Sequence, residues 1–318
     1  MRLRDEFRAL EHDPEGGRRF FRKDHAETKW QRDPEAFQLG SRGDRRATRI
    51  WQSPVRIATW NVNSIKQRLD AAVTWLAERQ PDIVCFQETK CVDDAFPREP
   101  FESLGYNLAI HGQKTFNGVA LLSKFPFDEV SIGLPGDHSD DHARFIEAAV
   151  STAKGALRVA SIYLPNGNPP ETDKYAYKIG WMKRLLAYAN ERLSLGEPLI
   201  LAGDYNVIPA AADVRNPQNW LGDALFLPRT RSAFQSLLNL GLTDAVRATS
   251  DAPGLYTFWD YQAGAWQKNN GIRIDHLLLS PQAADRLTDA GIDRHVRTWE
   301  KPSDHVPVWV DLDIGSVN

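Results

Sequence analysis

The stretch that most limits what this chain can become is Pro198-Leu199-Ile200-Leu201-Ala202-Gly203-Asp204-Tyr205-Asn206, an apolar run that stops abruptly in a glycine, a carboxylate and an amide. A run this short reads as a buried strand, and its polar end would lie on the rim of a sheet. The same design recurs along the chain. Residues 55–60 alternate as a strand does and lead into Asn61-Val62-Asn63, and residues 82–87 run into Glu88, Thr89 and Lys90. Residues 157–163 end in Tyr163 before a Leu-Pro-Asn-Gly turn, residues 272–279 carry Asp275, and Ser303-Asp304-His305 precedes a last strand over 308–312. Singly, each polar group has an ordinary alternative: turn chemistry for Gly-Asp-Asn, a solvated acid for Glu88, a core-edge residue for Tyr163, a cap or a partner of Arg273 for Asp275. Recurrence at one kind of position favours a common functional rim, because a covered strand fixes the backbone while its end faces substrate. Gly203 would then leave Asp204 room to meet that substrate.

The remaining pattern organises these strands. Ser64-Ile65-Lys66-Gln67 has capping-box spacing before an apolar stripe of Ile65, Leu69, Ala72, Val73 and Leu76, which should stop before Pro81. A long helix is expected over about 172–195, ended by Gly196, and a shorter one from 232, closed by Gly241. Hairpins are expected for 107–111 with 118–123 and for 145–150 with 157–163, and residues 256–261 read as an aromatic strand or loop. Gly136 to His142 holds two histidines among carboxylates, which reads as a solvated loop before it reads as a metal site. The order strand-rich half, long helix, strand-rich half hints at a sandwich of two similar layers.

At 318 residues with a net charge of −3 and a pI near 6.3, no global basic field announces a nucleic-acid partner. Contact with phosphate must come from a local patch or a bound cation. Cys85 and Cys91 are too few for a disulfide framework and lack zinc-site spacing, so a reducing cytoplasm fits best. No apolar run approaches the roughly 20 residues of a membrane helix. Residues 1–53 are rich in arginine, with acids mixed in and weak periodicity. They read as a poorly ordered extension: a solvated tail, residues upstream of a natural start, or a basic arm for DNA. The catalytic domain is expected over 54–318.

Oxygen ligands without a cysteine cluster suit a hard cation such as Mg²⁺ or Mn²⁺. A hard cation with a histidine and amide donors is what phosphodiester hydrolysis requires, since negative charge builds on the non-bridging and leaving oxygens. In that light, Trp60-Asn61-Val62-Asn63, Gln87-Glu88-Thr89-Lys90, Gly112-Gln113-Lys114, Gly203-Asp204-Tyr205-Asn206, Thr257-Phe258-Trp259, Arg273-Ile274-Asp275 and Ser303-Asp304-His305 resemble, in order, the motifs of the exonuclease III family of class II apurinic/apyrimidinic endonucleases. The resemblance runs over about 55–312.

It implies an α/β (α+β) fold of the DNase I-like kind, a four-layer sandwich of two packed mixed β-sheets flanked by helices. It also implies a Mg²⁺-dependent nuclease (Mn²⁺ as an alternative) that cuts 5′ of abasic sites in double-stranded DNA and acts on 3′ ends as a 3′–5′ exonuclease and a 3′-phosphodiesterase/phosphatase. A monomer would suffice. Tyr163, Asp204, Asn206, Asp275 and His305 would carry the chemistry. Glu88 would hold the metal, with Asn61, Asp204, Asn206, Asp304 and His305 around it. Asn63, Lys66, Arg68, Lys90, Gln113 and Lys114 would face DNA, and Phe258 with Trp259 would line a pocket for a flipped-out abasic sugar. Ser64 stands where many relatives have glycine, and position 63 is an amide where some have a carboxylate, which bears on any second metal. The alternatives are another phosphodiesterase of the same superfamily, acting on inositol phosphates, sphingomyelin or undamaged DNA, and a non-catalytic DNA-binding relative. Deleting residues 1–53 should leave core activity unchanged; a large rise in KM for DNA would instead make the extension a working arm.

Overall fold

The computed structural model describes residues 54–314, so the expectations for residues 1–53 lie outside the described residues. In chain order the elements are β1 Val55–Asn61, α1 Leu69–Arg79, β2 Ile83–Gln87, α2 Glu99–Glu102, β3 Asn107–His111, β4 Val119–Ser123, β5 Glu129–Ile132, β6 Phe145–Thr152 and β7 Gly155–Tyr163. There follow α3 Asp173–Ser194, β8 Leu199–Asp204, α4 Pro228–Asn239, β9 Thr243–Asp244, α5 Ala245–Thr249, β10 Asp275–Leu279, α6 Pro281–Ala284, β11 Leu287–Ile292 and β12 Val308–Leu312. They build two mixed six-stranded sheets, ordered β11-β12-β1-β2-β4-β3 and β5-β6-β7-β8-β10-β9. Each sheet has one parallel pair, β1 with β2 and β7 with β8, and antiparallel neighbours elsewhere. A parallel pair needs a crossover, which α1 and α3 supply.

Alternation along the strands sorts the layers. Val55, Ile57, Ile83 and Cys85 of the first sheet share one core with Val159, Ile200, Ala202 and Leu277 of the second. Their neighbours in sequence face outward: Ala58, Trp60, Val84 and Phe86 pack with Trp75 and Leu76 of α1. Leu199, Leu201 and Leu278 pack beneath Trp181, Leu185 and Phe234 of α3 and α4. The result is the expected four-layer sandwich. Cys85 and Cys91 are both free and buried. Among the described residues, no helix is long and apolar enough to cross a membrane.

Both hairpins and the long helix form where the pattern placed them. The first helix does not begin at the capping-box spacing. Ser64 sits at φ +85 and its carbonyl accepts from the amides of Gln67 and Arg68, so residues 64–68 form a turn and α1 starts at Leu69. A left-handed Ser64 explains why glycine is at ease in this position. Strands β5 and β11 escaped the pattern because both are sheet edges with few buried residues. The last strand of the second sheet starts at Asp275 rather than 272, since Ile272 is taken by bridges to Val214 and Phe258.

Behind β10 lies a buried charge network. Arg273 does not pair with Asp275: it donates to Asp213 at 2.7 Å and to Asp244 at 2.7 Å. His276 completes the network, with Nδ1 2.9 Å from Arg273 and Nε2 3.1 Å from the Val207 carbonyl. That pattern fits a neutral ring with its proton on Nε2, and burial, helped by Arg273, pushes its pKa down to about 4. An unfolded histidine titrates near 6.5, so this contribution is fully present above about pH 6.5. As the pH falls from there towards 4, the unfolded chain binds a proton that the folded chain refuses, and stability drops by up to roughly 3 kcal/mol. Denaturant unfolding at about pH 7 and about pH 4.5 should show this loss, and His276→Gln should flatten it.

Candidate active site

The two parallel pairs bring strand ends together. Asn61 lies beside Gln87 in one sheet, while Tyr163 and Asp275 flank Asp204 in the other. At this rim a side chain of the first sheet reaches the second: Asn61 Nδ2 donates to Glu88 Oε1 at 2.8 Å and to Asp204 Oδ2 at 3.0 Å. Just below, Gln87 Nε2 donates to Ser161 Oγ at 2.9 Å, a second polar bridge between the sheets. The loops leaving the strands turn sharply. Asn63, Ser64, Glu88, Lys90 and Asn206 all have positive φ, a conformation that costs a side-chain-bearing residue about 1 kcal/mol or more and that clusters at functional sites.

Asp204 is almost completely buried. Its Oδ1 accepts the Asn206 backbone N–H at 2.9 Å, and Asn206 Nδ2 reaches the Leu164 carbonyl at 2.9 Å and Asp204 Oδ2 at 3.3 Å. Burial, with Asp275 alongside, pushes the Asp204 carboxyl up to about 7 against the pull of His305. His305 Nδ1 lies 2.9 Å and 3.0 Å from the two oxygens of Asp275, and its Nε2 lies 3.7 Å from Asp204 Oδ2, beyond hydrogen-bond reach. Burial opposes charge on this ring, but Asp275 and Asp204 outweigh it and raise the pKa to about 10. The arrangement holds a cationic donor and a near-neutral carboxyl side by side, the pairing that acid–base work needs. Tyr163 is a phenol held protonated by burial and by the charges of Glu88 and Asp204.

Glu88, Asp204 and His305 present ligand atoms within 4.8 Å of one another. A hard cation fits the carboxylates better than the ring. Burial works to raise the Glu88 pKa, but Lys90, 2.8 Å from Oε2, and Asn61 hold it ionised. A protonated His305 with Nδ1 committed to Asp275 has no lone pair to give. With Nδ1 on Asp275, His305 turns only Nε2 towards Asp204 and Glu88, where it donates when protonated and can ligate when neutral. Asn61 likewise spends Nδ2 on two carboxylates and Oδ1 on the Asn63 N–H, and so bridges the ligands. Asp304 stands at the rim, accepting from Asn63 Nδ2 at 3.0 Å and from Ser303 Oγ at 3.3 Å.

Glu88, Tyr163, Asp204, Asn206, Asp304 and His305 share a cavity of about 290 Å³ whose far wall is Trp220, Leu225, Phe258, Ile272 and Ile274. Phe258 is in that wall, edge-on to His305 at 4.9 Å. Trp259 is not: it is wholly buried behind, donating to Asn269 Oδ1 at 3.2 Å and packed against Trp266. Adjacent residues of an extended segment face opposite ways, so only one of the two aromatics could reach the cavity. Gly203 also has a different cause from the one expected, since a Cβ there would lie 1.9 Å from the Ile162 carbonyl oxygen of β7.

Other candidates divide. Lys66 and Lys114 are exposed, and Lys90 and Gln113 line a second, larger opening beside Tyr163. Arg68 is nearly buried and ties the Asn63 carbonyl to Tyr261 and Pro302, which makes it a brace for the loop. His142 bonds with Asp140 and Tyr177, and Arg184 pairs with the same aspartate, so the histidine-rich loop is pinned to α3. Sequence reasoning missed Asn166, whose Nδ2 donates to Asn206 Oδ1 at 3.0 Å, and Lys178, which lies beneath both asparagines. Asn166 was hidden in turn chemistry. Lys178 had a signal, a charge on the otherwise apolar face of α3 formed with Met182, Leu185 and Ala189.

Residues 58–305 match the Endonuclease/Exonuclease/phosphatase family. The chain is 34% identical over 266 residues to exodeoxyribonuclease III of Haemophilus influenzae, covering 81% of this chain and 100% of that protein. An AP endonuclease from Archaeoglobus fulgidus superposes with a TM-score of 0.77 at 36% identity, over 82% of this chain and 100% of that one. A 3′ phosphatase from Neisseria, bound to a product DNA hairpin, superposes with a TM-score of 0.78 at 37% identity, over 81% and 99%.

If Asp275 is what keeps His305 charged, Asp275→Asn should return the ring towards the ordinary histidine range near 6.5. Titration of the His305 ring by NMR reads this directly: it should stay protonated past pH 8 in the parent protein and lose its proton well below that in the variant.

Proposed function

The chain belongs to the Endonuclease/Exonuclease/phosphatase family, in its exonuclease III branch, and from that premise we propose that it is a metal-dependent DNA repair nuclease that hydrolyses the phosphodiester 5′ of abasic sites. The observation that carries the proposal is the cavity at Asp204. One side is the buried Asp204 carboxyl, its pKa raised by burial, beside the His305–Asp275 pair, and the other sets the apolar faces of Trp220, Leu225, Phe258, Ile272 and Ile274 among Asp223 and Asp260. The first wall suits a phosphodiester, and the second suits a sugar without a base.

In this reading Asp204, oriented by Asn61 and Asn206, takes the proton from a water placed for in-line attack on phosphorus. His305, fixed in tautomer and charge by Asp275, donates from Nε2 to a phosphate oxygen as negative charge develops. Tyr163 adds a phenolic donor from the strand beside Asp204. Glu88 would hold the metal with Asp304 nearby, and a bound Mg²⁺ or Mn²⁺ would supply positive charge for the phosphate and leaving oxygens. Phe258, Trp220 and Leu225 take up the exposed sugar face and exclude water from it. The products are a 3′-hydroxyl and a 5′ sugar phosphate. The same site would trim blocked 3′ ends, an activity in keeping with the 3′ phosphatase that this chain resembles.

A duplex with one abasic analogue, assayed in Mg²⁺ and then in EDTA, tests the whole reading. Incision should occur at the lesion and require the cation; equal cutting of an intact duplex, or cutting in EDTA, would remove the repair assignment. Asp204→Asn should bind the duplex nearly as the parent does while kcat falls by about 10²- to 10⁴-fold, the range for a lost general base.

A further inference from the structure

We propose that Lys178 is a positioning residue for this rim: from beneath, it clamps the loops that follow β7 and β8 at the spacing at which Asn166 and Asn206 brace Asp204. Its kinetic consequence rests on the nuclease reading above, whereas the clamp itself is a statement about the protein alone. Lys178 is completely buried in the middle of α3. Its ammonium donates to the Asn206 carbonyl at 2.6 Å and to the Asn166 carbonyl at 3.0 Å. Those two residues come from different strand ends, and their side chains are joined by the 3.0 Å bond from Asn166 Nδ2 to Asn206 Oδ1. Asn206 in turn holds Asp204 by its backbone N–H. One ammonium thus fixes the frame on which the proposed general base hangs.

The surroundings are shaped for this lysine. Gly167 sits at φ +87, and a Cβ there would come within 2.6 Å of Lys178 Cδ, so the turn after Asn166 is built to let the stem pass. Stability alone does not account for it. Burial drives the lysine pKa down to about 7, and Asp204 and Asp223 attract it only through space. Holding an amine at full burial costs desolvation that its two carbonyl bonds must first offset. The gain lies in precision: two bonds from one nitrogen fix the spacing of two loops, and a shift of about 1 Å in a catalytic group costs on the order of 10²-fold in rate.

Lys178→Met keeps the volume and removes both bonds. It should melt below the parent temperature, since the Asn166 and Asn206 carbonyls lose their donor, leave KM for an abasic duplex within about threefold, and lower kcat by roughly 10- to 100-fold. Without DNA or metal, the side-chain amide signals of Asn166 and Asn206 in ¹⁵N correlation spectra should move, since their bond loosens. Parent-like kcat with unmoved amide signals would overturn the proposal. In the parent protein itself, scalar couplings from the Lys178 ammonium to the carbonyl carbons of residues 166 and 206 should be measurable, and their absence overturns the clamp whether or not the variant folds. Failure of the parent to incise the duplex would count against the nuclease reading and leave these NMR results to decide the clamp.

Discussion

The structure depends on where its two parallel strand pairs sit. In an all-antiparallel sheet, neighbouring strands end on opposite edges, and side chains at their ends scatter. Here β1 lies parallel to β2 and β7 parallel to β8, each pair near the middle of its sheet, so four C-terminal ends share one rim. Face-to-face packing of the sheets then closes the distance between Asn61 and Asp204 to a hydrogen bond of 3.0 Å. The antiparallel neighbours complete the set by arriving from the other direction: β10 begins at Asp275 beside Asp204, and the approach to β12 carries Asp304 and His305. A rim made this way is rigid because the strands delivering it are covered on both faces.

Rigidity below permits strain above. The left-handed residues at the ends of β1, β2 and β8 would unravel in a free peptide, yet each is held by bonds to a neighbouring loop. The Ser64 N–H reaches the Glu88 carbonyl at 2.7 Å, the Lys90 N–H the Asn117 carbonyl at 3.0 Å, and the Asn206 Nδ2 the Leu164 carbonyl at 2.9 Å. The loops are therefore one interlocked surface. A change such as Lys178→Met, remote from any reacting atom, can act on the chemistry only because of this interlocking.

What could be read in the sequence follows from the same physics. Strand ends were legible because burial on both faces writes an apolar run and the rim writes an abrupt polar stop, as at Asp204 and Glu88. Edge strands such as β5, with Val130 and Ile132 exposed, write neither signal. The pairing of Phe258 with Trp259 misled because adjacency in sequence was taken for adjacency in space, against the alternation of an extended chain. Arg68 looked like a DNA contact because sequence shows its charge and not the carbonyls of Asn63 and Pro302 that surround it.

Charge balance accounts for an amide at position 63. The rim gathers four acids, Glu88, Asp204, Asp275 and Asp304, and His305 and Lys90 offset two of them directly. A carboxylate at position 63 would face Asp304 at about the 3.0 Å now spanned by the Asn63 amide, and two carboxylates that close cannot both stay ionised without a proton or a cation between them. The amide removes the conflict, since Nδ2 donates to Asp304 while Oδ1 accepts from Lys90. Asn63 thus links the Lys90 ammonium to the Asp304 carboxylate through two charge-assisted hydrogen bonds.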